Sequence, residues 1–125
     1  MYRQFDQAAL FVGRLLIAIL FAGGAVQKVS APEAVDAMLT GVGLPGALVW
    51  PVALINAAAA VALILGVRVR PVAFHLALYC GATSYFHWIP DDPWQMSIFV
   101  KNWAIAGGCL ALMVAGSGRF ALRPD

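Results

Sequence analysis

The sequence predicts an all-α integral membrane protein, an antiparallel four-helix bundle with a short interfacial helix between spans 1 and 2. Three observations carry this prediction. Of 125 residues, 62% are hydrophobic and 11% charged, against about 25% charged in an ordinary soluble domain. The apolar residues fall in four long runs with a mean hydropathy of +0.84, each near the ~20 residues a helix needs to cross hydrocarbon. No strand-like alternation, internal repeat or low-complexity tract interrupts them.

The spans are expected at about 8–28, 46–66, 71–90 and 97–116, within a single domain covering 1–125. The first follows Arg3 and has small residues after it, as a signal peptide does. Its apolar run exceeds the roughly 7–15 residues of such a leader, so a true span is expected. Next comes "SAPEAVDAMLTGVGLPG" (30–46), with Ser30 placed to cap, Pro32 in the first turn and Glu33 close behind. Gly41, Gly43 and Pro45 end it; Val35, Met38 and Leu39 oppose Glu33 and Asp36, as in a helix lying at an interface. The connections "GVRVRP" and "PDDPW" are short turns.

Arg3, Arg68, Arg70, Arg119 and Arg123 gather at the N-terminus, the second loop and the C-terminus. Glu33, Asp36, Asp91 and Asp92 occupy the other two loops. The excess of arginine places both termini in the cytoplasm. Trp50, Trp88, Trp94 and Trp103 fall on the opposite side, as half of an aromatic belt. A net charge of +2 without a basic cluster gives no sign of nucleic acid. The expected partners are the lipid bilayer and other membrane subunits.

Polar residues inside the spans collect in the outer half. Lys28 closes the first span, Asn56 lies near the middle of the second, His87 closes the third, and Lys101 and Asn102 open the fourth. A charge in hydrocarbon costs on the order of 3 kcal/mol, so the expectation is that these five line a pocket for a quinone or small anion. Lys101 and Asn102 are expected to face inward toward Lys28 and His87, with Asp91 and Asp92 as alternative counter-charges. Each residue also has a plainer role. Both lysines can snorkel to headgroups, Asn56 can join two helices, and His75 reads as structural. Arg14 is expected to neutralise a neighbour or bind a leaflet phosphate. Cys80 and Cys109 lie at similar depth, but they form no CxxC and are expected to be buried thiols. No residues have metal-ligand spacing, and no haem, flavin, iron–sulfur or zinc motif is visible.

The segments "GRLLIAILFAGGAVQK" (13–28), "GVGLPG" (41–46), "LILGVRVRPVA" (63–73), "SYFHW" (84–88), "KNWAIAGGCLAL" (101–112) and "GSGRFAL" (116–122) resemble the DoxX family of small four-helix membrane proteins. The KN pair and the closing glycine–arginine segment are the most specific of these. The resemblance implies a bacterial inner-membrane protein associated with oxidoreductase systems, among them a thiosulfate:quinone oxidoreductase. The matching polar positions are Arg14, Lys28, His87, Lys101 and Asn102. Family members often carry a carboxylate where this chain has Asn56, which removes any mechanism needing a buried acid there. The leading expectation is an accessory subunit of a redox system, with a quinone as candidate ligand and electrons supplied by a partner. The alternative is a purely structural or assembly subunit. A transporter would want repeats the chain lacks.

Overall fold

The structure, a computed structural model, describes residues 2–125. The described residues form five α-helices and no strand: α1 (Tyr2–Ser30), α2 (Pro32–Gly41), α3 (Val49–Leu65), α4 (Val69–Thr83) and α5 (Pro93–Ala115). Among the described residues, three segments are long and apolar enough to cross a membrane: Arg3–Ser30, Gly46–Leu65 and Pro93–Ala115.

The third expected span, 71–90, is not one long α-helix. α4 has 15 residues and passes into a 3-10 turn over Ser84–His87. The change comes where two hydroxyls return to the backbone: Thr83 Oγ1 donates to the Tyr79 carbonyl at 2.8 Å and Ser84 Oγ to that of Cys80 at 2.7 Å. Such bonds compete with the regular helical ladder. Helix and turn together reach about 30 Å.

The helix ends have local causes. Pro32 opens α2 directly behind α1. The expected cap by Ser30 is not formed: α1 runs through Ser30, and Ala31 precedes α2 without a side-chain cap. α3 stops at Gly66, whose φ of +75° is the left-handed conformation glycine adopts at little cost. Asp92 begins α5 by accepting from the N–H groups of Trp94 (3.0 Å) and Gln95 (3.3 Å), with Pro93 in the first turn. It therefore serves as a helix cap rather than as a counter-charge for a lysine.

The helices pair as two antiparallel hairpins, α1 along α3 and α4 along α5, with lesser contacts from α3 to α4 and α1 to α5. Buried positions recur at spacings of four and three. On α1 they are Arg14, Ala18, Phe21 and Ala25; on α3, Val49, Ala53, Asn56, Ala60 and Leu63. That period keeps one narrow seam facing a neighbouring helix and favours shallow left-handed crossings. Four of these nine seam residues are alanines, Ala18, Ala25, Ala53 and Ala60, which let the backbones approach closely there, as helices in lipid do. The opposite faces expose bulky apolar residues, including Leu16, Ile19, Leu54 and Val114, at 63%, 64%, 70% and 72%. An exterior of that kind suits hydrocarbon and not water.

Residues 116–125 fold back across the end of the molecule where α1 begins. Leu122 N–H donates to the Leu65 carbonyl (2.8 Å) and Arg123 N–H to that of Gly66 (3.2 Å). Arg119 N–H reaches Gln7 Oε1 at 2.7 Å. The Asp125 carboxylate accepts from Arg70 N–H (3.0 Å) and Ser117 N–H (3.1 Å).

Candidate functional site

A polar cluster stands where α1, α3 and α4 meet. Asn56, the eleventh residue of the apolar stretch Gly46–Leu65, lies near its middle and is 1% exposed. Its Nδ2 donates to the Tyr79 hydroxyl at 3.4 Å, while its Oδ1 is buried with no partner. Lys28 continues the α1 seam one step past Ala25, and it is half-buried. Its Nζ turns back toward the Gly24 carbonyl at 3.5 Å. Gly24 is what brings the two side chains together. A Cβ at that residue would stand 3.3 Å from Asn56 Nδ2 and 3.6 Å from Lys28 Nζ. The missing methyl thus leaves a small polar niche between an ammonium, an amide and a phenol. Tyr79 is held by Phe21, ring edge to face at 6.0 Å between centroids.

An unpartnered amide oxygen inside an apolar span costs on the order of 1–3 kcal/mol. With the lysine on the Nδ2 side of the same amide, the niche offers donors for a carbonyl or anion and one acceptor for a hydroxyl. Next to it, between α1 and α3, runs an open groove of about 470 Å³ lined by Ala25, Val26, Val29, Trp50, Ala53 and Leu54.

The other expected site residues are placed apart from this niche. His87 is half-buried at the far end of the 3-10 turn and shares a 2.7 Å hydrogen bond with Gln95 Oε1. Lys101 and Asn102 do not both face inward. Adjacent helical residues lie about 100° apart, and Asn102 takes the half-buried side while Lys101 is exposed. Lys101 makes no hydrogen bond or ion pair with a described residue. His75 Nδ1 bonds to the Pro71 carbonyl of its own helix at 2.9 Å, a structural contact. Cys80 and Cys109 are free, buried thiols.

Arg14 departs from both roles expected of it. It is 1% exposed, faces no carboxylate within ion-pair distance among the described residues, and is not open to a headgroup. Nη1 donates to the Ser117 carbonyl at 2.7 Å, and Nη2 donates to that of Phe120. The guanidinium lies 5.3 Å from the Phe11 ring centroid. Two participants escaped the sequence reading. Tyr79 was hidden as one more aromatic in an apolar run, although its hydroxyl at mid-span needs a partner. Gln95 lies outside the expected fourth span.

Long apolar helices, an apolar exterior and alanine-bearing seams define a small helical membrane protein. The DoxX family model matches residues 9–88, and the chain belongs to that family. It is also 25% identical over 121 residues to the inner membrane protein YqjF of Escherichia coli strain K12, covering 96% of this chain and 93% of that one. No solved structure matches it.

Proposed function

We propose that this protein is an accessory subunit of an inner-membrane redox system and holds a quinone, or a small anion of similar hydrogen-bonding character, in the Lys28–Asn56–Tyr79 niche. In this reading the four long helical segments form a four-helix membrane bundle with both termini in the cytoplasm, and α2 lies at the opposite interface. The carrying observation is the buried Asn56 amide, whose Oδ1 has no partner and whose Nδ2 shares the Gly24 niche with the Lys28 ammonium. The residues suit such a ligand. Lys28 Nζ and the Tyr79 hydroxyl would donate to a carbonyl or oxyanion, whose binding a low-dielectric surround strengthens, and Asn56 Oδ1 would accept from a hydroxyl. An apolar tail would lie along the groove between α1 and α3. A quinone supplies two-electron carrier chemistry when bound. The electrons come from a partner in this reading.

The test is native mass spectrometry of the protein extracted gently from its own membranes. A quinone adduct is expected, with occupancy reduced at least tenfold in Lys28→Met. An adduct unaffected by that change, or no small ligand at all, would remove the niche from the account. The second reading, a structural or assembly subunit, is favoured by one feature, the exposed small-residue face of α5.

A further inference from the structure

α5 carries two stripes with the same period. One faces the protein: Asn102, Ala106, Cys109 and Met113, buried or half-buried. The other is exposed along its whole length: Lys101, Ala104, Gly108, Ala111 and Ala115, spaced three, four, three and four. A narrow seam repeating in this way is the pattern a helix presents to a second helix. Nothing inside the molecule explains why its residues are small. A Cβ at Gly108, or at the neighbouring Gly107, would meet no atom within 4 Å. Glycine inside a helix costs about 1 kcal/mol relative to alanine, so this residue is not there for the sake of the single chain. By contrast Gly81, on α4, has the Trp103 ring 3.5 Å from its Cβ position. Beside the stripe, an open groove of about 460 Å³ between α4 and α5 offers Leu78, Gly81, Trp103 and Gly107 to a visiting side chain.

The charge on the stripe identifies its occupant. Lys101 lies eight residues into α5, about 12 Å from its start, among exposed Val100 and Trp103 at 63% and 52%. We infer that the Lys101–Ala104–Gly108–Ala111 face of α5 docks against a membrane-spanning helix of a different protein, one that carries an aspartate or glutamate opposite Lys101. A second copy of this chain does not fit. Its six acidic residues are Asp6, Glu33, Asp36, Asp91, Asp92 and Asp125, and none lies in a span at the level of Lys101. Two copies sharing this face in one membrane would set Lys101 against Lys101. This inference rests on the accessory-subunit part of the proposed function and is independent of the ligand niche, which lies on α1, α3 and α4.

The experiment places a photo-crosslinking amino acid at Ala111 of the full chain in its native membrane and identifies the adduct by mass spectrometry. The expected adduct is a heterologous membrane span with an intramembrane Asp or Glu. Its yield should fall at least tenfold in Lys101→Gln and in Gly108→Leu, and should return when Lys101→Glu is combined with Lys in place of the partner's acid. Gly108→Leu has open space in the single chain, and an unchanged melting curve shows that the loss is one of docking. A homotypic adduct, a partner span without a carboxylate, lipid adducts alone, or a yield indifferent to Lys101 overturns the inference. Quinone occupancy in the same preparations reports on the niche separately.

Discussion

Asn56 is where stability and function separate most clearly at the level of one side chain. If its amide existed only to join α3 to α4, replacing it would cost the hydrogen bond to Tyr79. Its Oδ1, however, is buried without a partner, and interhelical hydrogen bonds in membranes average only about 0.6 kcal/mol. Asn56→Leu is therefore expected to leave unfolding in mixed detergent micelles within about 1 kcal/mol of wild type, while bound ligand is lost at least tenfold. A variant destabilised by 2 kcal/mol or more would show that the amide serves packing alone. Some of this was legible in the sequence. An amide at the middle of an apolar run reads as purposeful from its cost, and Lys28 reads likewise. The Lys101–Asn102 pair was harder, because neighbouring helical residues diverge by about 100° and hydropathy carries no phase. The niche depends on Gly24, which is silent as a sequence symbol. Its meaning is the contact its absent methyl permits.

At the scale of the element, length and composition made α1, α3 and α5 legible, since spanning hydrocarbon is a demand on those two quantities. α4 was less so, because its end is decided by the Thr83 and Ser84 hydroxyls rather than by hydropathy. Glycines divide the same way. Gly66 ends α3 at φ +75°, and a Cβ there would overlap Ala121 of the returning tail. Gly66→Ala combines a left-handed non-glycine residue, about 1 kcal/mol, with that collision, and is expected to cost about 2 kcal/mol or more. Hydrogen exchange at the Leu122 and Arg123 amides, which bond to Leu65 and Gly66, should rise with it. Protection equal to wild type would show that the tail docks independently of the turn.

The whole molecule is two hairpins fastened at one end by residues 116–125, a connection that sequence pattern did not reveal because each of its bonds uses a backbone group, which carries no residue identity, at a distant point of the chain. Asp125 is the titratable part of the fastening. Partial burial pushes its carboxyl upward, but the N–H groups of Arg70 and Ser117, the Ser117 hydroxyl and the Arg70 charge outweigh that and hold it below the usual carboxylate range. A carboxyl with a lowered folded pKa lends its stability above the unfolded value, about 3.9, and loses it as pH falls through the folded one. The tail should therefore stay protected from exchange near pH 7 and loosen below about pH 4. Asp125→Asn should abolish this change; an unaltered profile in the variant would assign the loosening to another group.

Arg14 gives the same fastening a history. Its carbonyl partners are Ser117 and Phe120, 103 and 106 residues further along the chain. At roughly 5–20 residues per second, the ribosome delivers them only some 5–20 s after the arginine itself. Throughout that interval the Arg14 cation on α1 waits for the carbonyls that will answer it. The closure of this end of the molecule therefore waits until residues 117–120 have been made, so the docking of that segment on α1 is a step that follows the synthesis of α5.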